Sequence, residues 1–392
     1  MIYKKDMAKK ILVMRFTPYD SDFSSYNIQE VGLGKAFCRL GYNYTYICFK
    51  KNDQKRWSFY EHNGCKAEFW EMPRTRFFRM GINLDICKRE FLKQYDIVIC
   101  REYNQIMTYL CAKNSDNVSM YSGPYWNMFM LKFTSPIYDA LFIKSMNNNL
   151  KGKFVKSILA KDFLEKKGFN NLTCIGVGLD MERFAEDSEM NAKTSEIVKF
   201  MQENRCLLFI GRLNKNKNFP LLIEVYKKVL KKHPDVKFVM IGKPEQTSIG
   251  KIMFKSDESY VQGILKHYSN EVKNGIYRID RIPNQQLKYI YPLAKAFLLP
   301  SRKEIFGMVM LEAMYFGAPV ITSKNGGSMS LIGDNGPGIM ISDYDADKWA
   351  EAVLKYLNNP IAAEKITTSA HQLIKEQYNW DTIAKTVLKY LN

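Results

Sequence analysis

Apolar residues fall along this chain in short blocks, set apart by stretches in which they recur at helical spacing. In the first half, ILVMRF (11–16), NYTYICFK (43–50), AEFWEM (67–72), DIVIC (96–100), SMYSG (119–123) and KFVKS (153–157) read as strands, and a helix ending near Gly41 fills the first gap. The second half restarts the pattern. CLLFIGRL (206–213), KFVMIG (237–242), AKAFLLPS (294–301) and APVITS (318–323) are predicted strands, and FPLLIEVYKKVLKKH (219–233) is a predicted helix. This alternation predicts an α/β architecture of parallel sheets covered on both faces. The polar, acidic segment after Asp180, through EDSEMNAKTSE (186–196), reads as the connection between two halves. Two doubly wound domains facing each other would place their strand ends on a central cleft, where such sheets bind ligands.

Composition agrees with two domains. The 392 residues exceed the usual size of one core, and 46% apolar with 14% aromatic content suffices for two. No apolar run approaches the ~18–20 residues that span a bilayer. A basic stretch precedes Ile11–Met14, but that block is far shorter than a signal core and Arg15 ends it, so it reads as the first buried strand. The eight cysteines include no C-x-x-C pair and only four histidines could join them, which points to reduced core thiols of a cytoplasmic protein. Net charge is +18, and residues 1–175 hold 28 Lys+Arg against 16 Asp+Glu. A basic amino-terminal half suits an anionic partner, whether phospholipid, nucleic acid or a phosphorylated substrate; the solvated surface of a lysine-rich protein accounts for it as well.

Candidate chemistry concentrates in residues 300–327, PSRKEIFGMVMLEAMYFGAPVITSKNGG. Glu304 and Glu312 stand eight apart, across a loop and the start of a helix that Gly317 and Pro319 close. The amides around Phe306, Gly307, Met308 and Val309 form the positive end of that helix, suited to a diphosphate, and Gly307 permits close approach. A carboxylate just inside the helix can take both hydroxyls of a ribose, and one on the preceding loop can do the same for a hexose. A second block, GRLNKNK (211–217), follows a predicted strand. There Gly211 opens a loop from which Arg212 can fork onto phosphate oxygens and Lys217 adds a mobile charge.

These two blocks resemble the E-x7-E region and the G-R-L-x-x-x-K loop of the "glycosyl transferases group 1" family, retaining enzymes of the two-domain GT-B fold. Pro300, Ser301, Glu304, Phe306, Gly307, Leu311, Glu312, Ala313, Gly317, Pro319, Val320, Gly326 and Gly327 fall where the family pattern puts them. The resemblance implies that Glu304 contacts the donor sugar, Glu312 the ribose, and Arg212 and Lys217 the diphosphate. VMIGKPE (239–245), with Lys243, resembles the loop near the nucleoside, and the segment 281–301, with Ile282, the border of its base. GVGLDMERF (176–184) resembles the family's hinge, and YNWDTIAKTVLKYL (378–391) its last helix, with Trp380 as a packing anchor. The implied domains are 1–180 on the acceptor side, 181–370 on the donor side, and a helix in 371–392 returning to the first.

The implied function is transfer of a hexose or related sugar from a nucleotide sugar, UDP being the commonest carrier, to a saccharide or lipid-linked acceptor in envelope or capsular polysaccharide synthesis. Configuration is retained, and neither metal nor other cofactor is expected. Departures from the family cluster in the first half. The loop TPYDSDFSSYN (17–27) lacks the usual glycine pair, MYSGPYW (120–126) lacks a histidine, and Ser330 replaces a glutamate. Acceptor candidates are therefore read from residues: Asp20 and Asp22 in the first loop, and Arg101 and Glu102 after DIVIC, an ordinary surface pair being the alternative for the latter. The D-x-D spacings at 20–22 and 343–345 mark metal-dependent transferases elsewhere, but a hard-cation site needs several converging oxygens, and the second stretch reads as the start of a surface helix. EMPRTRFFRMG (71–81) mixes arginines with aromatic residues, as a segment lying on an anionic membrane does, or as a basic loop with core anchors. Two other readings are a sugar-nucleotide epimerase or hydrolase on the same fold, without a clear acid/base set, and a nucleic-acid-binding protein, without a reading motif.

Overall fold

The computed structural model describes residues 8–17, 19, 23, 28–51, 54–77, 80–129, 131, 133–185, 189–244 and 258–391. The chain forms two compact units, 1–180 with 377–392, and 181–376. Residue 371, the start of the expected returning segment, lies inside the helix Pro360–Gln377.

In the first unit the strands are β1 (Lys10–Met14), β2 (Asn43–Lys50), β3 (Lys55–His62), β4 (Cys65–Pro73), β5 (Thr75–Phe77), β6 (Met80–Ile82), β7 (Ile97–Arg101), β8 (Val118–Ser122), β9 (Lys153–Val155) and β10 (Thr173–Cys174). Eight of them form one sheet in the order β10-β9-β8-β7-β1-β2-β4-β3, while β5 and β6 form a separate antiparallel hairpin. Central strands are apolar on both faces: Ile11, Leu12, Val13 and Met14 are fully buried. Every pairing in the large sheet is parallel except β3 with β4. That exception departs from the expected all-parallel sheet. Its cause is local: Asn63 and Gly64, with φ of 48° and 81°, make the two-residue turn that reverses β3 into β4. Trp57 of β3 then packs on Phe69 of β4, ring centroids 4.8 Å apart.

The last helix, Trp380–Leu391, belongs to this unit and packs on the helix Gln29–Arg39. Arg39 Nη2 reaches Asp381 at 2.6 Å, and Leu179 N donates to the Tyr378 carbonyl at 2.7 Å. Trp380 is 3% exposed, and a Cβ at Gly32 would stand 2.2 Å from its ring, so only glycine admits the indole there.

In the second unit β11 (Cys206–Ile210), β12 (Lys237–Ile241), β13 (Ile276–Ile279), β14 (Ala294–Leu299), β15 (Val320–Ser323) and β16 (Ile339–Ile341) form a sheet in the order β13-β12-β11-β14-β15-β16, parallel throughout. The strand order reverses between β11 and β14, and it is there that an open α/β sheet leaves room for a ligand at its carboxyl end. The helices Phe219–Leu230 and Ala346–Asn358 bury Leu222, Tyr226, Trp349 and Val353 with Phe209 and Phe238 in one core.

Trp380→Ala is expected to destabilise the amino-terminal unit by about 3–5 kcal/mol, the range for deleting a buried aromatic side chain. Urea unfolding measures it, and an unchanged midpoint would show that the last helix is not anchored by this residue.

Candidate active site

Both motif blocks lie at the carboxyl end of the second sheet, on the two strands that flank the reversal. The chain leaves β14 through Pro300 and Ser301, crosses the loop to Gly307, and enters the helix Met308–Tyr315. Gly307 caps that helix with φ 82°, and a Cβ there would lie 3.2 Å from Glu304 Cγ and 3.4 Å from Leu299 Cδ2. A larger residue would be strained in backbone and crowded in side chain. At the other end the Ala318 amide donates to the Ala313 carbonyl at 2.8 Å, and Gly317, φ 82°, turns the chain into β15.

The loop after β11 is fastened on two sides. Gly211 N donates to Ile241 O and Leu213 N to Lys243 O, each at 2.9 Å, which sets it against the loop after β12. Asn216 joins it to the loop after β14: its carbonyl and Oδ1 accept from Arg302 N at 2.7 Å and Lys303 N at 3.0 Å, and its Nδ2 donates to Lys303 O at 2.9 Å. This ladder brings the Lys217 ammonium onto the Glu304 carboxylate, in a pair whose side chains are only 16% and 20% exposed. Arg212 is exposed on the same loop. The Glu304 carbonyl in turn accepts from Gly326 N at 3.2 Å, at the start of the helix Gly326–Leu331. Asn325 and Ser328 cap that helix reciprocally.

Glu312 sits one turn inside the helix Met308–Tyr315 and is 2% exposed. Its carboxylate accepts from the Tyr291 hydroxyl at 2.9 Å and from Asn284 Nδ2 at 3.2 and 3.3 Å. Tyr291 is fixed by stacking on Phe316 and edge contact with Phe297. Burial pushes the Glu312 carboxyl up to about 7, and the hydrogen bonds from Tyr291 and Asn284, with the charge of Arg183, only partly oppose it.

The structure thus brings together Arg212, Lys217, Glu304, Gly307 and Glu312 within one unit. Met308 and Val309 are half-buried in the first helical turn, Phe306 is buried beneath it, Lys243 is exposed, and Ile282 is buried two residues before Asn284. Asn216, Asn284 and Tyr291 are supports that motif reading missed. Asn284 and Tyr291 lie within the segment read as bordering the base, but nothing in their spacing says that they meet Glu312.

The amino-terminal candidates lie in the other unit. Asp20 and Asp22 fall outside the described residues. Arg101 ends β7 and Glu102 follows it, yet both side chains have protein partners. Arg101 is 5% exposed and pairs with Glu30 of the helix Gln29–Arg39, with its guanidinium over the Tyr121 ring. Burial opposes the Glu30 charge, but Arg101, Arg15 and Lys156 outweigh it and hold the carboxyl below its usual range. Burial pushes the Lys156 ammonium down to about 7, and its Nζ donates to Gln29 Oε1 at 2.9 Å. Glu102, with φ 66°, accepts from Ser122 Oγ at 2.9 Å and Gly123 N at 3.0 Å. Of the second D-x-D stretch, Asp345 caps the helix Ala346–Asn358 and Asp343 pairs with Lys348 at 2.5 Å. No cluster of three metal-ligating side chains occurs among the described residues, and none of the helices searched there is long and apolar enough to cross a membrane.

The raised Glu312 value has a definite sign. Its native-state carboxyl holds a proton more tightly than its ordinary value of 4.5 allows. Its contribution to stability is therefore full below about 4.5 and lost as pH rises through about 7. The implied ribose role of Glu312 is therefore testable: hydroxyls donate best to the ionised carboxylate, so under that role nucleotide affinity rises between roughly pH 6 and pH 8 and loses that slope in Glu312→Gln. Calorimetric titration with UDP measures both. An identical slope in the variant would exclude Glu312 as its source.

Residues 191–380 match the family described as "Glycosyl transferases group 1". An uncharacterized glycosyltransferase of Methanocaldococcus jannaschii is 30% identical over 203 residues, 50% of this chain and 48% of that protein. The capsular polysaccharide biosynthesis glycosyltransferase CapM of Staphylococcus aureus is 24% identical over 250 residues, 62% of this chain and 59% of CapM. The chain thus spans about half the length of the curated relatives it matches. Among solved structures, Anabaena HepE in complex with UDP and glucose superposes with a TM-score of 0.65 at 15% identity, over 98% of this chain and 99% of HepE. That likeness shows the fold, and the two parallel-sheet units are those of GT-B proteins. Over residues 191–380, just under half of its length, the chain is similar to the glycosyl transferases group 1 family.

Proposed function

We propose that this protein is a glycosyltransferase that moves a hexose or related sugar from a nucleotide sugar, with UDP as carrier, to a saccharide or lipid-linked acceptor. The observation that carries this reading is the meeting of Lys217 with Glu304 at the amino end of the helix that holds Glu312. Cation, helix end and two carboxylates stand in the sequence in which a nucleotide sugar presents its own groups. Glu312 accepts from the ribose hydroxyls, and Arg212, Lys217 and the amides after Gly307 take the diphosphate. Glu304 accepts from hydroxyls of the sugar. The complex of HepE with UDP and glucose supports the donor class, and the name of CapM supports a place in capsular or envelope polysaccharide synthesis.

In this reading configuration is retained by a front-face displacement. The bond from the anomeric carbon to the diphosphate oxygen breaks as the acceptor oxygen bonds to that carbon on the same face. The acceptor proton passes to the departing diphosphate, whose added negative charge the two cations and the helix end stabilise. These groups do the work of a metal ion, so the reading needs none. The Lys217–Glu304 pair holds both side chains in place before the donor arrives, so little ordering remains for binding to supply.

Arg212→Ala is expected to lower kcat/KM for transfer by about a hundredfold or more, the scale of removing one donor to a developing charge, and Glu312→Ala by about as much through the charged hydrogen bonds lost to the ribose. Circular dichroism should be unchanged. Full activity in both variants would sink the site assignment. Thermal-shift screening across UDP-, GDP- and ADP-sugars tests the carrier, since a ligand at about 100 times its Kd adds about 2.7 kcal/mol to apparent stability. Release of free sugar at the same rate with and without acceptor would replace transfer with hydrolysis.

A further inference from the structure

Large apolar side chains left in solvent are scattered over the described residues, with one exception. Leu131, Phe133, Ile137 and Leu141 are 44%, 67%, 57% and 64% exposed within eleven consecutive positions. The last two lie on the helix Thr134–Asn149 and follow Phe133 at intervals of four, so the three project from one face. Pro136 and Ala140 are exposed beside them, and the face continues into exposed Lys144. The opposite face, with Tyr138, Ile143 and Met146, is packed in the core of the amino-terminal unit. The helix therefore has two apolar sides, and its own unit covers only one.

On the helix itself the outer charge is positive, from Lys144. The helix has a single carboxylate, Asp139, which is bound by Lys167 and Ser135 and withdrawn from the outer face. The segment 166–170 is tied to the last turn of the helix: Asn147 Nδ2 donates to Gly168 O at 2.6 Å, and its Oδ1 accepts from Asn170 N at 3.1 Å. Lys166, on the same segment, is exposed. The four side chains present on the order of 400 Å², taking roughly 200 Å² for each when fully exposed. A stable dimer needs about 800 Å² per partner, so a second copy of the chain is poorly matched to a patch of this size. An anionic bilayer surface is well matched. Apolar side chains on an exposed helix face enter the headgroup boundary, and Lys144 at its end meets lipid phosphates.

We propose that the outer face of the helix Thr134–Asn149 docks this protein on an anionic phospholipid surface, through Phe133, Ile137 and Leu141 with Lys144. The hairpin of β5 and β6, within the segment whose sequence first raised membrane contact, carries Arg74 and Arg76 at its start, but the side chains of Phe77, Phe78 and Arg79 lie outside the described residues. The helix has the continuous apolar stripe that the hairpin does not display among its described residues. The proposal stands apart from the donor site, which lies in the other unit.

Co-sedimentation of the full chain with vesicles tests it, using phosphatidylcholine alone or with about a third phosphatidylglycerol, within the range where surface charge attracts lysines. The wild type is expected to bind the anionic vesicles and to favour them over neutral ones. Ile137→Asp with Leu141→Asp should reduce binding about tenfold or more, and Lys144→Ala about fivefold. UDP-induced thermal shift should persist in both, which separates lost docking from lost folding. Equal binding to both vesicle types overturns the proposal, as does full binding by the Ile137/Leu141 variant. A wild-type dimer in light scattering that this variant abolishes would assign the face to a second copy instead. Loss of binding only in Arg74→Ala with Arg76→Ala would assign docking to the hairpin.

Discussion

The site depends on a constraint of strand order. In the second unit β11 and β14 are neighbours in space although two other strands separate them in sequence, because the sheet grows outward from this pair in both directions. Parallel strands end on the same edge, so the loops after β11 and β14 must emerge side by side. Asn216 then needs only its own backbone and amide to bind both, and the cation of one loop falls on the carboxylate of the other. Neither loop by itself would hold Lys217 or Glu304 in a fixed place.

Charge is handled differently in the two units, and burial with pairing explains the difference. Glu312 is buried with hydrogen-bond donors but no adjacent cation in contact, so its proton affinity rises. Glu30 is equally buried but faces Arg101, Arg15 and Lys156, and its proton affinity falls. A carboxyl held near neutrality responds to a ligand that donates hydrogen bonds, whereas one locked in an ion pair holds the first helix to the end of β7. Arg101 and Glu102 illustrate the second role, since each is engaged by groups of its own unit.

The amino-terminal unit is closed by the far end of the chain. The last helix returns to pack Trp380 against Gly32, so the first unit is completed by its last sixteen residues, Gln377 to Asn392. Its sheet has a reversed edge strand, and the Asn63-Gly64 pair that causes the reversal is a visible sequence signal for a hairpin. KRWSFYEH itself is too polar to read as a buried strand, which is what an edge permits.

Much of this protein was legible in the order of its residues. The blocks Ile11–Met14, Asn43–Lys50, Cys206–Ile210 and Ala294–Leu299 are strands because runs apolar on both faces can only be central strands of a covered sheet. The local setting of Glu304, Gly307 and Glu312 was legible because strand, glycine and helix follow one another, and helix geometry relates such residues over short range; the pairing of Lys217 with Glu304, 87 positions on, was not. Asn216, Asn284, Tyr291 and Glu30 were not. Their roles are contacts across 87, 28, 21 and 71 positions of sequence, and a hydrogen bond made over such distances leaves no local pattern. The sequence determined which segments become strands and which residues could do chemistry. The tertiary structure decided which of them meet, because only the sheet's strand order sets which loops share an edge.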